Sequence, residues 1–403
     1  MILYILLAFI IIITLFFAYV RIKYQFWALQ PVFHYYDIFY WFYNKGIIRQ
    51  ELPEKNKYTN LKDIITFDFT KLTKIQVKEA VNLIQYNYLR NKNGSNYYPK
   101  ETNILPYFDG HFETCYWSYF WKPNALLDSK TGHIIDDKQL IGVITSRPLH
   151  VNIIKNDSFS KKDYYQIDAY YVDYLCIEKS SRKKGIAPQL IQTHEYNQSH
   201  NNKKICVSLF KREDELTGII PLTAYNSYCF NMKKWIKSNY LLDNYKILTG
   251  DKQNIYYFYN FVNEHIKYWN IVIWPEISNL ISLIETRNLI IKMILLDKEI
   301  QAVYLFKKTC TTINSLEILD CFASMNVGLT IDNFINGFKN SLQSIRKKYP
   351  NYGYLTIEDI SHNKEIINNL QIKTYPYAIS PTAYFFYNFA YSTFPSEKCL
   401  IIN

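Results

Sequence analysis

Residues 182–188, Arg182-Lys183-Lys184-Gly185-Ile186-Ala187-Pro188, place three cations, a glycine and a proline between an apolar run and a helical one. That junction has the makings of a polyanion site. A glycine lets the backbone approach closely, successive N–H groups can point inward, and the next helix offers free N–H donors at the positive end of its dipole. Basic loops at strand ends are also commonly just solvated, so the flanking residues must decide. Upstream, Val172 to Ile177 is β-branched and aromatic, the pattern of a buried strand, and it carries a carboxylate at Asp173. Downstream, Gln189 onward keeps helix formers, with Leu190, Ile191 and His194 on one face.

Other chemistries find less support. The seven cysteines, at 115, 176, 206, 229, 310, 321 and 399, are odd in number, scattered and never spaced C-x-x-C. Neither a disulfide framework nor a zinc site follows, and a reducing compartment is the simpler inference. The eight histidines form no H-x-x-x-H or H-E-x-x-H set, so no metal is expected.

Arg182, Gly185 and Ala187 fit the R-x-x-G-x-A pattern with which GNAT-type acyltransferases hold the pyrophosphate of an acyl-coenzyme A. Extended upstream through Asp173-Tyr174-Leu175-Cys176-Ile177, the segment closely resembles the signature of N-myristoyltransferases, N-F-L-C-V-H-K-x-x-R-x-K-R-x-A-P. Three more segments are similar to that family, in the same order. They are Tyr24-Gln25-Phe26-Trp27 with Gln30-Pro31-Val32, then Ile48-Arg49-Gln50-Glu51, and finally Tyr384-Phe385-Phe386-Tyr387-Asn388-Phe389 with Glu397-Lys398. The resemblance runs from residue 24 to residue 403.

The resemblance implies two tandem GNAT-like halves, with residues 23–230 binding acyl-CoA and 231–403 the acceptor. The residue patterns agree with α/β or α+β, mixed sheet. Strands are expected at 139–147, 170–177 and 204–210, then at 301–307, 315–323, 352–357 and 383–388; helices are expected at 77–90, 188–198 and 331–348.

By the same resemblance the chain moves a long acyl group from myristoyl-CoA, a co-substrate and not a permanently bound cofactor, to the α-amine of an N-terminal glycine. Tyr24, Gln25, Phe26 and Trp27 wrap the coenzyme, and Leu175, Cys176, Ile177, Arg182, Lys183, Lys184, Gly185, Ile186, Ala187 and Pro188 hold it. The backbone N–H groups of Tyr174 and Leu175 form the oxyanion hole, and the α-carboxylate of Asn403 is the base. Asp173 stands where the family has asparagine. It could share the base role, pair with the protonated amine, or be a satisfied strand residue. Thr217 and Tyr88 are acceptor contacts, and Arg90 and Lys92 replace acids of the family, which favours acidic peptides. Two rivals are a GNAT-type enzyme with another amine acceptor near a membrane, and a catalytically silent acyl-CoA-binding membrane protein.

The first twenty residues, MILYILLAFIIIITLFFAYV, carry no charge. As a helix they reach ~30 Å, enough to cross a bilayer core. No cation precedes Arg21, unlike a signal peptide, and a buried core helix is the alternative. Arg21 and Lys23 then place the catalytic domain on the cytoplasmic side of a single-pass anchor over residues 1–22. The net charge of +11 suits an anionic coenzyme and anionic lipid. Nucleic acid is a third candidate, but the 38 tyrosines are spread throughout, as an AT-rich coding genome would produce, so no nucleic-acid partner is expected. A monomer is expected.

Overall fold

The computed structural model describes residues 2–37, 40, 42, 45–89, 95–127, 134–158, 161–214, 217–234 and 244–403. The apolar N-terminus is one helix, Ile2–Lys23, with its side chains outside the core except Val20. Downstream, the β-branched and aromatic runs join one mixed sheet of fifteen strands. Its middle runs Ile271–Trp274, Ile134–Ser158, Lys161–Ile177, Val207–Glu213, Ala378–Tyr387, Thr223–Asn231 and Tyr352–Glu358. The order interleaves early and late segments. Ala378–Tyr387 lies between Val207–Glu213 and Thr223–Asn231, and the tail Cys399–Ile401 extends the other edge beyond Ile271–Trp274.

Helices cover the sheet where their apolar stripes meet it. Ile186–Asn201 packs on the early strands so closely that a Cβ at Gly142 would lie 2.8 Å from the Leu190 side chain. Ile331–Lys348, capped by the Thr330 side chain, buries Phe334, Phe338, Leu342 and Ile345 against the late strands. The mixed α/β expectation holds, and this helix has the expected limits. The strand expected at 204–210 lies instead at Val207–Glu213, because Ile205 plugs a cluster with Tyr116 and Tyr170 before pairing starts at Val207.

Three of the resembling segments meet at Asn388. Its backbone N–H donates to Pro31 O at 3.0 Å, and its side-chain amide donates to Arg49 O and Cys206 O at 2.9 Å. Arg49 N–H returns a bond to Asn388 Oδ1 at 2.8 Å. Asn388 sits at φ 63°, a left-handed conformation that asparagine tolerates better than most residues. Asn388→Ala loses these side-chain bonds and adds backbone strain, so it is expected to cost about 3 kcal/mol, with Asn388→Gly roughly 1 kcal/mol milder. Urea unfolding at constant slope measures both.

Candidate active site

The site is built where the sheet opens. Lys161–Ile177 pairs in parallel with Val207–Glu213 from Ala169↔Val207 to Val172↔Phe210, and there the register ends. On its other side Lys161–Ile177 stays paired with Ile134–Ser158, but the register slips between Ile144↔Leu175 and Ser146↔Val172. Asp173 and Tyr174 therefore oppose Thr145 alone, a β-bulge that bends the strand away from its parallel neighbour. Tyr174 N–H, released from ladder pairing, donates to Thr145 Oγ1 at 3.1 Å.

A cavity of about 500 Å³ fills the split. Val172, Leu175 and Phe210 wall it from the strands, Ala187, Pro188 and Ile191 from the helix, and Phe26 and Trp27 from the leading segment. Trp27 is fixed by stacking on Phe210 at 6.0 Å, and Phe210 on Phe385 at 5.2 Å. Gln30 locks the same segment, donating to Gln192 Oε1 at 3.2 Å and accepting from Tyr387 Oη at 2.6 Å. Tyr24 and Gln25 are exposed beside it.

The loop at 182–188 carries left-handed backbone at Lys183, φ 64°, and Gly185, φ 74°. Gly185 is the N-cap of Ile186–Asn201 and supplies no side-chain cap, so the first N–H groups of that helix have no such partner. A Cβ at Gly185 would meet nothing within 4 Å. Lys183 and Lys184 are exposed. Arg182 turns inward instead, donating to Ile177 O at 3.1 Å and to Asn87 O, so it ties the helix Lys74–Asn87 to the signature strand. Cys176 is buried, its thiol directed at Leu83 O.

Asp173 has a partner that the residue spacing did not announce. Arg147 Nε donates to its Oδ2 at 2.6 Å, with the Arg147 side chain 1% exposed. The guanidinium lies 5.3 Å from the Tyr107 ring centroid and 5.1 Å from that of Tyr171. Burial raises the Asp173 carboxyl above its ordinary range and Arg147 opposes that rise. Of the three readings open for Asp173, a satisfied strand residue matches this geometry. Tyr88 packs edge-on to Tyr174 at 5.2 Å and donates to Asp173 O at 3.4 Å, so it stands against the bulged part of the strand. Thr217 accepts from Ile219 N–H at 3.3 Å and does not line the cavity. Arg90 and Lys92 lie outside the described residues.

Lys211, the first residue past the last parallel pair, also lines the cavity. Its ammonium reaches Glu358 at 2.9 Å and Glu213 at 3.1 Å, and lies 5.7 Å from the Tyr384 ring centroid. Burial works against charge on Glu358, but Lys211 and Lys307 overcome it and hold that carboxyl low. Tyr384 donates to Asn403 Oδ1 at 3.3 Å. The tail before it is buried, with Ile402 N–H on Ile273 O at 2.7 Å, so Asn403 is held at the hydroxyl of Tyr384, whose ring faces Lys211. Arg147, Lys211 and Glu358 were missed by pattern reading. Their signal was a charge inside each apolar strand run, which demands a buried partner.

No protein-family model matches the sequence. Among curated proteins, one of Amsacta moorei entomopoxvirus, provisionally named a glycylpeptide N-tetradecanoyltransferase, is 26% identical over 211 residues, which is 49% of this chain and 66% of that protein. A 159-residue match, 27% identical, covers 2% of a MATH and LRR domain-containing protein of Plasmodium falciparum. A crystal structure of Saccharomyces cerevisiae N-myristoyltransferase with bound myristoyl-CoA superposes with a TM-score of 0.66, over 92% of this chain and 94% of that one, at 13% identity. The chain has the N-myristoyltransferase fold. A tandem GNAT protein from the clavulanic acid biosynthesis pathway shares the architecture at a TM-score of 0.52, 9% identity, over 81% of this chain and 98% of that one. In this N-myristoyltransferase fold the cavity occupies the opening between the two parted strands.

Glu195 is a titratable group of the cavity wall. Its oxygens accept from Ser199 at 3.1 Å and Ser208 at 3.2 Å, and burial pushes its carboxyl up to about 7. The fold therefore favours the protonated form. From an ordinary value of 4.5, that contribution is fully present at lower pH and is lost as pH rises through about 7. Across this window the wild type is expected to lose up to about 3 kcal/mol of unfolding free energy relative to Glu195→Gln. Denaturation series at both ends of the window check it.

Proposed function

We propose that the chain transfers a long-chain acyl group from acyl-CoA to the α-amine of an N-terminal glycine. The observation that carries this reading is the cavity in the parted strands, walled by Phe26, Trp27, Ala187 and Pro188, in a fold shared with a protein crystallised with myristoyl-CoA. Residues 23–230 supply the acyl-CoA side and 231–403 most of the acceptor side. The helix Ile2–Lys23 anchors the enzyme, as a monomer, with the catalytic domain on the cytoplasmic side of Arg21 and Lys23.

In the reaction the amine nitrogen attacks the thioester carbonyl, the C–S bond breaks, coenzyme A leaves as the thiol, and an amide forms. The developing oxyanion takes the N–H of Tyr174, displacing the Thr145 hydroxyl, together with that of Leu175. The amine needs a base for its proton. Asp173 is committed to Arg147 and Glu195 to Ser199 and Ser208, and we assign the proton to the α-carboxylate of Asn403, beside Tyr384, whose ring faces Lys211. Exposed Lys183 and Lys184 and the N–H groups after Gly185 receive the pyrophosphate.

Incubating purified protein with myristoyl-CoA and glycine-initiated peptides should add one acyl group at the N-terminus, read by mass spectrometry. Acylation of lysine side chains alone would move the enzyme to another acceptor class, and no transfer to any amine would leave a binding protein. Deleting Ile402 and Asn403 should lower turnover by roughly two to four orders of magnitude while acyl-CoA binding persists. Asp173→Asn should mainly cost stability, about 3–5 kcal/mol, because it strands a buried guanidinium. Full activity in the deletion with turnover lost in Asp173→Asn at intact stability would transfer the base role to Asp173.

A further inference from the structure

Soon after the helix Ile2–Lys23, residues Phe33, Tyr35 and Tyr40 are pinned to later parts of the chain. Tyr35 N–H donates to Gly218 O at 3.1 Å, Ile220 N–H donates to Phe33 O at 2.9 Å, and Tyr40 Oη donates to Tyr391 O at 3.0 Å. Yet Tyr36, stacked on His34 at 4.9 Å, meets Phe16 of the helix edge-on at 6.4 Å. Phe16 lies seven residues before Lys23, the end of that helix. At 1.5 Å per residue this sets Tyr36 roughly 10 Å toward the bilayer centre from the helix end. That is the outer part of the acyl region when the helix spans a bilayer, with Arg21 and Lys23 at its headgroup edge. The neighbouring aromatic surface fits such a place, since Tyr35 is 67% and Phe42 82% exposed to solvent otherwise.

Beneath this segment lies a second cavity, about 350 Å³, remote in sequence from the signature strand and lined by Tyr35, Tyr40, Lys45, Ile220, Tyr391 and Thr393. Its walls are chiefly aromatic and aliphatic. Lys45 sits at its edge, exposed, with its ammonium 4.7 Å from the Tyr391 ring centroid. The carboxylate of this segment, Asp37, is engaged by His34, whose N–H donates to it at 2.6 Å. Arg21 and Lys23 add cations nearer the helix end, about one to two turns beyond Phe16. An apolar slot with a cation at its rim, beside a segment that touches the spanning helix, matches an acyl chain joined to a phosphate.

The geometry points to a binding site for an anionic phospholipid of the bilayer, its phosphate at Lys45 and one acyl chain between Tyr35, Ile220 and Tyr391. This rests on the helix Ile2–Lys23 spanning that bilayer. The site adjoins Ala390 and Phe389, which pair with Gly46 and Ile47 next to the Asn388 junction, so lipid seated there braces the leading segment of the acyl-CoA cavity.

The test uses the full chain in phosphatidylcholine vesicles doped with photoactivatable phosphatidylserine carrying a diazirine on its acyl chain. Labelled peptides are mapped by mass spectrometry after flotation. Labelling is expected on Tyr35 and on residues 390–393, falling roughly fivefold or more in Lys45→Glu, an exposed change that leaves the fold intact. Flotation with labelling confined to residues 2–23 overturns the lipid site and leaves the anchor standing. Failure to float overturns the anchor and, with it, this site, while the transfer assay still stands on its own. Equal labelling by a phosphatidylcholine analogue overturns the assignment to an anionic lipid.

Discussion

A β-sheet that opens in its middle leaves backbone N–H and C=O groups without ladder partners, and buried groups of that kind are costly. The parting of Lys161–Ile177 from Val207–Glu213 after Val172↔Phe210 is such an opening. The bulge at Asp173 and Tyr174 bends the strand out, the Thr145 hydroxyl takes the released Tyr174 N–H, and the long antiparallel pairing with Ile134–Ser158 keeps the bent strand from drifting. Arg147 clamps Asp173 at the bend from within that antiparallel neighbour. What remains is an N–H held by a hydroxyl that can give way, beside a cavity large enough for an acyl chain.

That opening separates two environments. On one side the walls are aromatic and aliphatic, with Trp27, Phe210 and Phe385 stacked in series and Ile191 from the helix. On the other side charged side chains are buried together. Glu358 gathers Lys211, Lys307 and the Tyr225 hydroxyl, and Tyr384 links this group to Asn403. Asp320, paired with Lys307 at 3.6 Å, is raised by burial and by the nearby Glu358 charge. Such a group is stable only while its charges stay paired.

The parts legible in the sequence were those set by local pattern. Periodicity gave the helix Ile331–Lys348, and uncharged length gave Ile2–Lys23. The segment from Asp173 to Pro188 proved to be strand, loop and helix in the order its residues suggest, whereas the bulge at Asp173 and Tyr174 had no sign in the pattern. What remained hidden was long-range pairing. The Arg147 to Asp173 bond spans 26 residues and that of Lys211 to Glu358 spans 147, and no local pattern encodes either. The same holds for Arg182, whose place in a basic loop suggested a phosphate ligand, whereas its donors close on Ile177 and Asn87. Thr217 stood in a turn of suitable composition, but it is not among the residues that line the cavity and its hydroxyl accepts from Ile219 N–H.

The account rests on the acyl donor lying in the parted strands with its carbonyl at the bulge. The most direct measurement is a crystal structure with a non-hydrolysable analogue of myristoyl-CoA. The expected result is an alkyl chain between Phe26, Trp27 and Phe210, with the carbonyl oxygen accepting from Tyr174 N–H and the Thr145 hydroxyl turned away. An analogue bound elsewhere, or bound in the cavity with Tyr174 N–H still on Thr145 and the carbonyl out of reach, would contradict it.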